Sequence, residues 1–101
     1  MIVRTWHGKV PIARADAYAE FLKQRAVPDY GAVPGLRRVA FLRREQGKFA
    51  HFLLVTHWES MDAVKAFAGP DPEIAKYYPE DDEFLVDRAE RLQLYEVFFE
   101  R

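Results

Sequence analysis

The run Phe52-Leu53-Leu54-Val55 is apolar at every position. Successive side chains of a strand point to opposite faces of its sheet, so such a run has to be covered on both sides. The same holds for Val39-Ala40-Phe41-Leu42 and for Val97-Phe98-Phe99. Helical periodicity supplies two main helices, and two helices cover only one face of a four-stranded sheet. A second copy of the same sheet is the simplest cover for the other face. The expectation is therefore a homodimer joined face to face through the sheet.

The remaining elements follow from local signals. Ile2 to Val10 reads as a strand, rich in β-branched and aromatic residues and ended by Pro11. Ala13 to Ala26 places Tyr18, Phe21, Leu22 and Ala26 at helical spacing, and Pro28 argues against continuation past Val27. Asp29 to Gly35 is a loop. Leu36 to Glu45 and Phe49 to Trp58 form a hairpin around Gln46-Gly47. Ser60 caps a helix over Met61 to Ala68, which Gly69-Pro70 stops. Asp71-Pro72 opens a short helix carrying Ile74, Tyr77 and Tyr78, ended by Pro79. Glu80 to Leu85 forms one more acidic turn, and Leu92 to Glu100 is the last strand. The order is βαββαβ, an α+β ferredoxin-like arrangement, and right-handed crossovers then give an antiparallel sheet of order 4-1-3-2.

Composition narrows the function classes. A chain of 101 residues fits a single domain over 1–101. The net charge of −1 gives no electrostatic case for nucleic acid or an anionic membrane surface. Arg37, Arg38, Arg43 and Arg44 read as solvated parts of a strand. With no cysteine, disulfides and thiolate chemistry are excluded. No apolar run approaches the ~18 residues that cross a bilayer, and the first residues lack a signal-peptide layout. A cytoplasmic location is expected. Aromatic residues make up 15% of the chain, a surplus that needs a core, an interface or a ligand pocket.

The segment Val55-Thr56-His57-Trp58-Glu59-Ser60-Met61-Asp62-Ala63, running on to Phe67, resembles the strand-to-helix junction of antibiotic biosynthesis monooxygenase domains. The loop Val33-Pro34-Gly35, the order of elements and the length agree with that family, so the resemblance covers nearly the whole chain. It implies the dimeric α+β barrel superfamily, whose members include cofactor-independent quinone-forming monooxygenases and haem-degrading oxygenases. The haem-degrading branch implies an asparagine on the first strand, a tryptophan on the second helix and a histidine ten residues later. Here those positions hold Trp6 or His7, Phe67 and Tyr77, and the chain has no asparagine. The resemblance therefore favours the cofactor-free branch, with no cofactor and no metal. In that branch a deprotonated phenolic or anthrone-type substrate itself reduces dioxygen. The protein supplies an apolar pocket, a base and hydrogen bonds to the anion.

Candidate residues follow. Trp6, Phe21, Phe67, Tyr77 and Tyr78 are expected to line a pocket between helices and sheet. Tyr77 is expected to orient the substrate. His7 or His51 is the expected base, since imidazole titrates near neutral pH. If the first and third strands are antiparallel neighbours, His7 and His51 lie close together and His57 lies at the far end. The pair has no third ligand in any metal-binding spacing. Trp58 reads as a core or interface anchor, and Glu80-Asp81-Asp82-Glu83 as a solvated helix start. Arg4, charged on a central strand, is expected to pair with a carboxylate such as Glu96 or to hold an anionic ligand. The rival function is a non-catalytic dimeric ligand-binding or stress-related module whose rings are simply core. A filled interior favours it, whereas a cavity of ~300 Å³ or more favours a ligand site.

Overall fold

The computed structural model describes all of residues 1–101. Strand β1 (Ile2–Pro11) runs directly into helix α1 (Ile12–Phe21). The Ile12 N–H donates to the Lys48 carbonyl at 3.1 Å, so the helix start is tied to the hairpin rather than to a side-chain cap. Strands β2 (Leu36–Gln46) and β3 (Phe49–Trp58) follow, then helix α2 (Met61–Ala68). Two short strands, β4 (Asp87–Arg88) and β5 (Gln93–Glu96), close the chain. The sheet order is β2-β3-β1-β4, antiparallel throughout, with β5 also on β1. This is the α+β ferredoxin-like arrangement that the sequence predicts.

Strand alternation sorts the two faces. Val10 on β1, and Ala50 and Phe52 on β3, point toward α1 and meet Ala15, Tyr18, Leu22 and Ala26 in the core. Trp58 is fully buried, and its indole N–H donates to Thr56 Oγ1 at 2.8 Å. Leu53, Val55, Ala40 and Leu42 lie on the other face. There Leu42 is 47% exposed, while Leu53, Val55 and Ala40 are partly buried.

Several expected boundaries move. The first helix changes character after Phe21. The Val27 N–H reaches back five residues to the Leu22 carbonyl, making a π turn over Leu22–Ala26. A 3₁₀ turn over Val27–Tyr30 then carries the chain past Pro28. Pro28 has no N–H to donate, and tightening into a 3₁₀ turn lets the segment proceed with Pro near its start, where a donor is not needed. The helix expected after Asp71-Pro72 does not form. That stretch makes one turn at Pro72-Glu73, closed by the Ile74 N–H on the Asp71 carbonyl at 3.3 Å, and is then held by distant partners: Ile74 bridges Arg91, and the Leu92 N–H donates to the Glu73 carbonyl at 2.7 Å. The last strand is shorter than expected. Glu96 is opposite Ile2 and the Val97 N–H takes the Met1 carbonyl, so β1 offers no further partners. Phe98 and Phe99 are accordingly off the sheet and exposed.

Candidate functional site: an aromatic cavity on the helix side of the sheet

Between the inner sheet face, α1 and the irregular 71–78 stretch lies a cavity of about 350 Å³, with 13 hydrophobic residues among the 17 that line it. That volume is within the range of small-ligand sites and above the size that a filled core would leave. One wall is set by β1, where Arg4 and Trp6 project inward from alternate positions. Leu54 and Phe41, opposite each other on β3 and β2, form the floor beyond Trp6. Phe67 closes one end from α2, its ring 5.2 Å from those of Tyr30 and Trp58. Tyr77 and Tyr78 cover the mouth.

The indole, phenol and aspartate groups of this apolar space are paired with one another or with backbone. The Trp6 indole N–H donates to the Tyr77 hydroxyl at 2.8 Å, with the two rings edge to face at 6.1 Å. The Tyr77 hydroxyl in turn donates to the Ala89 carbonyl, and the Arg88 guanidinium lies 4.7 Å over its ring. Burial pushes the Tyr77 hydroxyl above the ordinary phenol range, against the opposing pull of the Trp6 N–H, so it is a neutral phenol near neutral pH. Tyr18 donates to Asp81 Oδ1 at 3.1 Å, and the Tyr78 N–H donates to Asp81 Oδ2 at 2.7 Å. The Tyr78 hydroxyl donates to Asp29, and burial followed by that carboxylate pushes it up as well.

Of the residues singled out by sequence, Trp6, Phe67, Tyr77 and Tyr78 border the cavity. Phe21 does not. Its ring packs behind the wall, stacked on Tyr18 and Phe84 at 6.0 and 5.7 Å. His7 and His51 do meet, with Nε2 of one 2.9 Å from Nδ1 of the other. They meet on the outer face of the sheet, however, because His7 follows Trp6 and His51 precedes Phe52. Neither borders the cavity, so the expected base is on the wrong side of the sheet within one chain. Partial burial lowers the pKa of His51, helped by the charges of Arg44, His7 and Lys9. No group of three or more potential metal ligands forms there or elsewhere.

Two further expectations change. Asp81 is only 3% exposed rather than solvated, because the tyrosine hydroxyl and the amide draw it inward. Arg4 does not pair with Glu96, which is opposite Ile2 near the end of the strand. Its Nε–H donates to the Pro72 carbonyl at 2.8 Å and Nη2 to the Ile74 carbonyl at 3.4 Å. Asp29, Tyr30 and Lys76 are cavity residues that the sequence did not single out, and Asp81 joins them from a run expected to be solvated. An aspartate is expected at the start of a turn on propensity alone, which hides its position in space.

A model of the antibiotic biosynthesis monooxygenase family matches residues 1–71. The chain belongs to that family. Among solved structures, the haem-degrader MhuD from Mycobacterium tuberculosis, with two haems bound in its active site, superposes with a TM-score of 0.69 at 23% identity, over 100% of this chain and 99% of that one. A Bacillus cereus protein assigned to the antibiotic biosynthesis monooxygenases gives 0.71 at 14% identity, over 99% and 93%. One from Nitrosomonas europaea, assigned likewise, gives 0.68 at 15%, over 98% and 100%. At these identities the likeness is one of fold. No curated protein matches the chain. No helix is long and apolar enough to cross a membrane.

Proposed function

We propose that the protein is a cofactor-independent monooxygenase acting on a small phenolic or anthrone-type aromatic held in the inner cavity. The observation that carries this reading is the aromatic cavity of about 350 Å³ with the Trp6–Tyr77 pair in its wall. The rings of Trp6, Phe67, Tyr77 and Tyr78 define a slot for a flat substrate. Tyr77 orients the substrate oxygen. The histidines lie outside the cavity, so a carboxylate takes the substrate proton. Asp81 already accepts two hydrogen bonds, which leaves Asp29, shared with the Tyr78 hydroxyl at the rim. The carbanion then gives its electrons to dioxygen. Overall, for an anthrone, a CH₂ group and O₂ become a carbonyl and water; for a phenol, a ring C–H and the O–H with O₂ become a quinone and water; in both, all four electrons come from the substrate. The apolar outer face supports a homodimer in which two sheets cover each other.

The test is oxygen uptake in air with a panel of anthrones and hydroquinones and no added cofactor. The expected result is uptake that requires the protein and is reduced at least about tenfold by Tyr77→Phe. No uptake by folded protein across the panel favours the non-catalytic ligand-binding reading. Haem degradation is the second reading, supported by the fold shared with MhuD. Tyr77 stands where the resemblance places the iron ligand, but its hydroxyl is engaged by Trp6 and Ala89. A saturable haem spectrum followed by loss of the absorbance with a reductant present would favour that reading.

A further inference from the structure

Arg4 is a buried cation without a counter-charge. It is 6% exposed, yet no carboxylate forms an ion pair with it. The two carboxylates of the cavity are occupied elsewhere: Asp81 by Tyr18 and the Tyr78 amide, Asp29 by the Tyr78 hydroxyl. Two backbone carbonyls take one edge of the guanidinium, through Nε and Nη2. A guanidinium has five N–H donors, so those of Nη1 and one of Nη2 remain. No sealed side-chain nitrogen lacks a partner and Arg4 lines the cavity, so the remaining donors are not shut inside protein, and the Tyr30 hydroxyl is the one further partner beside them. The Tyr30 hydroxyl lies beside the guanidinium and also lines the cavity. Lys76, likewise without an ion pair, adds positive charge at the exposed rim.

Dipoles alone compensate a buried charge poorly, and a guanidinium keeps its charge at any physiological pH. A negative group on a molecule in the cavity would supply the missing counter-charge. Arg4 and Trp6 are two positions apart on the same strand face, a spacing of about 7 Å. That is the scale of one or two fused aromatic rings.

We propose that the cavity selects an aromatic carboxylate. Its acid group sits against Arg4 and the Tyr30 hydroxyl, and its phenolic end reaches the Trp6–Tyr77 pair. A carboxylate matches the planar donor fork with two parallel hydrogen bonds and is the smallest such anion to place in so apolar a space. This deepens the proposed function and rests on the cavity being a ligand site, whether or not oxygen chemistry follows.

The probes are a hydroxynaphthoate with its two groups at opposite ends of the rings, its methyl ester, and naphthol. Binding to the full chain is followed by calorimetry and by tryptophan fluorescence. The wild-type protein is expected to bind the acid at least about tenfold more tightly than the ester or naphthol. Arg4→Gln is expected to erase that preference while naphthol still binds, and Arg4→Lys to keep part of it. The wild-type comparison stands even if a variant fails to fold. Equal binding of acid and ester by the wild type, with naphthol bound, overturns the anion site and leaves the aromatic cavity standing. Failure of all three probes to bind overturns both. Retention of the preference in folded Arg4→Gln overturns the assignment to Arg4.

Discussion

Gly8 decides where Trp6 can lie. A Cβ at position 8 would fall 2.4 Å from the indole Cη2 and 2.8 Å from Leu85 Cδ2, so the ring rests across bare backbone. Gly8→Ala is therefore expected to drive the indole out of the cavity wall. Overpacking of this kind costs about 1–3 kcal/mol. Aromatic ligand affinity should fall along with the melting temperature, and calorimetry on the folded variant checks it; unchanged binding would mean that the indole is not part of the site. His51 gives a second prediction at this scale. Its pKa is lowered by partial burial and then by Arg44, His7 and Lys9. As pH falls below about 6.5, the unfolded chain takes up this proton before the folded one does. This residue's contribution to stability thus declines on acidification through that point and levels off below the folded pKa. A ¹H–¹⁵N titration should place the His51 midpoint below the free-histidine value, and Arg44→Gln should raise it. The histidine pairing was legible in the sequence from antiparallel register. The face was legible too, since Trp6 and His7 are adjacent on a strand and cannot share one pocket.

At the scale of elements, α2 is fastened at both ends by signals that a reader of the sequence can see. Ser60 Oγ accepts the Ala63 N–H at 3.1 Å, and the chain turns off the helix at Gly69. The entry to β2 is as tightly set. Gly35 has φ of 81°, its carbonyl accepts the Glu59 N–H at 2.8 Å, and a Cβ there would fall 2.5 Å from Ala63 Cβ. Gly35→Ala meets both a left-handed backbone and the first turn of α2, for an expected loss of about 1–3 kcal/mol. Urea unfolding should show a lower midpoint with an unchanged slope. The stretch from Asp71 to Leu92 was the least legible. Asp-Pro resembles a helix start, but no local signal reports that Arg4 fastens the Pro72 and Ile74 carbonyls or that Gly8 and Lys9 recruit Arg88 and Asp87 as a strand. Those partners are about seventy or eighty residues away in sequence, so the lid over the cavity is a tertiary product.

At the scale of the molecule, the two sheet faces differ. The inner face builds the core and the cavity, whereas on the outer face Leu42 is exposed and Leu53, Val55 and Ala40 are only partly buried. This two-sided apolar pattern was the strongest sequence signal; it places Phe52 to Val55 and Val39 to Leu42 on paired strands, whereas Phe98 and Phe99 lie off the sheet. Leu53→Glu puts a charge at the centre of that face without touching the cavity. Sedimentation equilibrium should show the wild type as a dimer and the variant as a folded monomer. A wild type that stays monomeric at high micromolar concentration would rule out the sheet-to-sheet pairing.

The most direct measurement asks which face carries the chemistry. Cofactor-free oxygen uptake, with whichever anthrone or hydroquinone responds, is compared for the wild type, Tyr77→Phe, Trp6→Phe, His7→Ala and His51→Ala. The inner-cavity account predicts at least about tenfold loss in the Tyr77 and Trp6 variants and uptake within about twofold of wild type in both histidine variants. Loss of uptake in His51→Ala with Tyr77→Phe unaffected would contradict it and move the reaction to the outer face of the sheet.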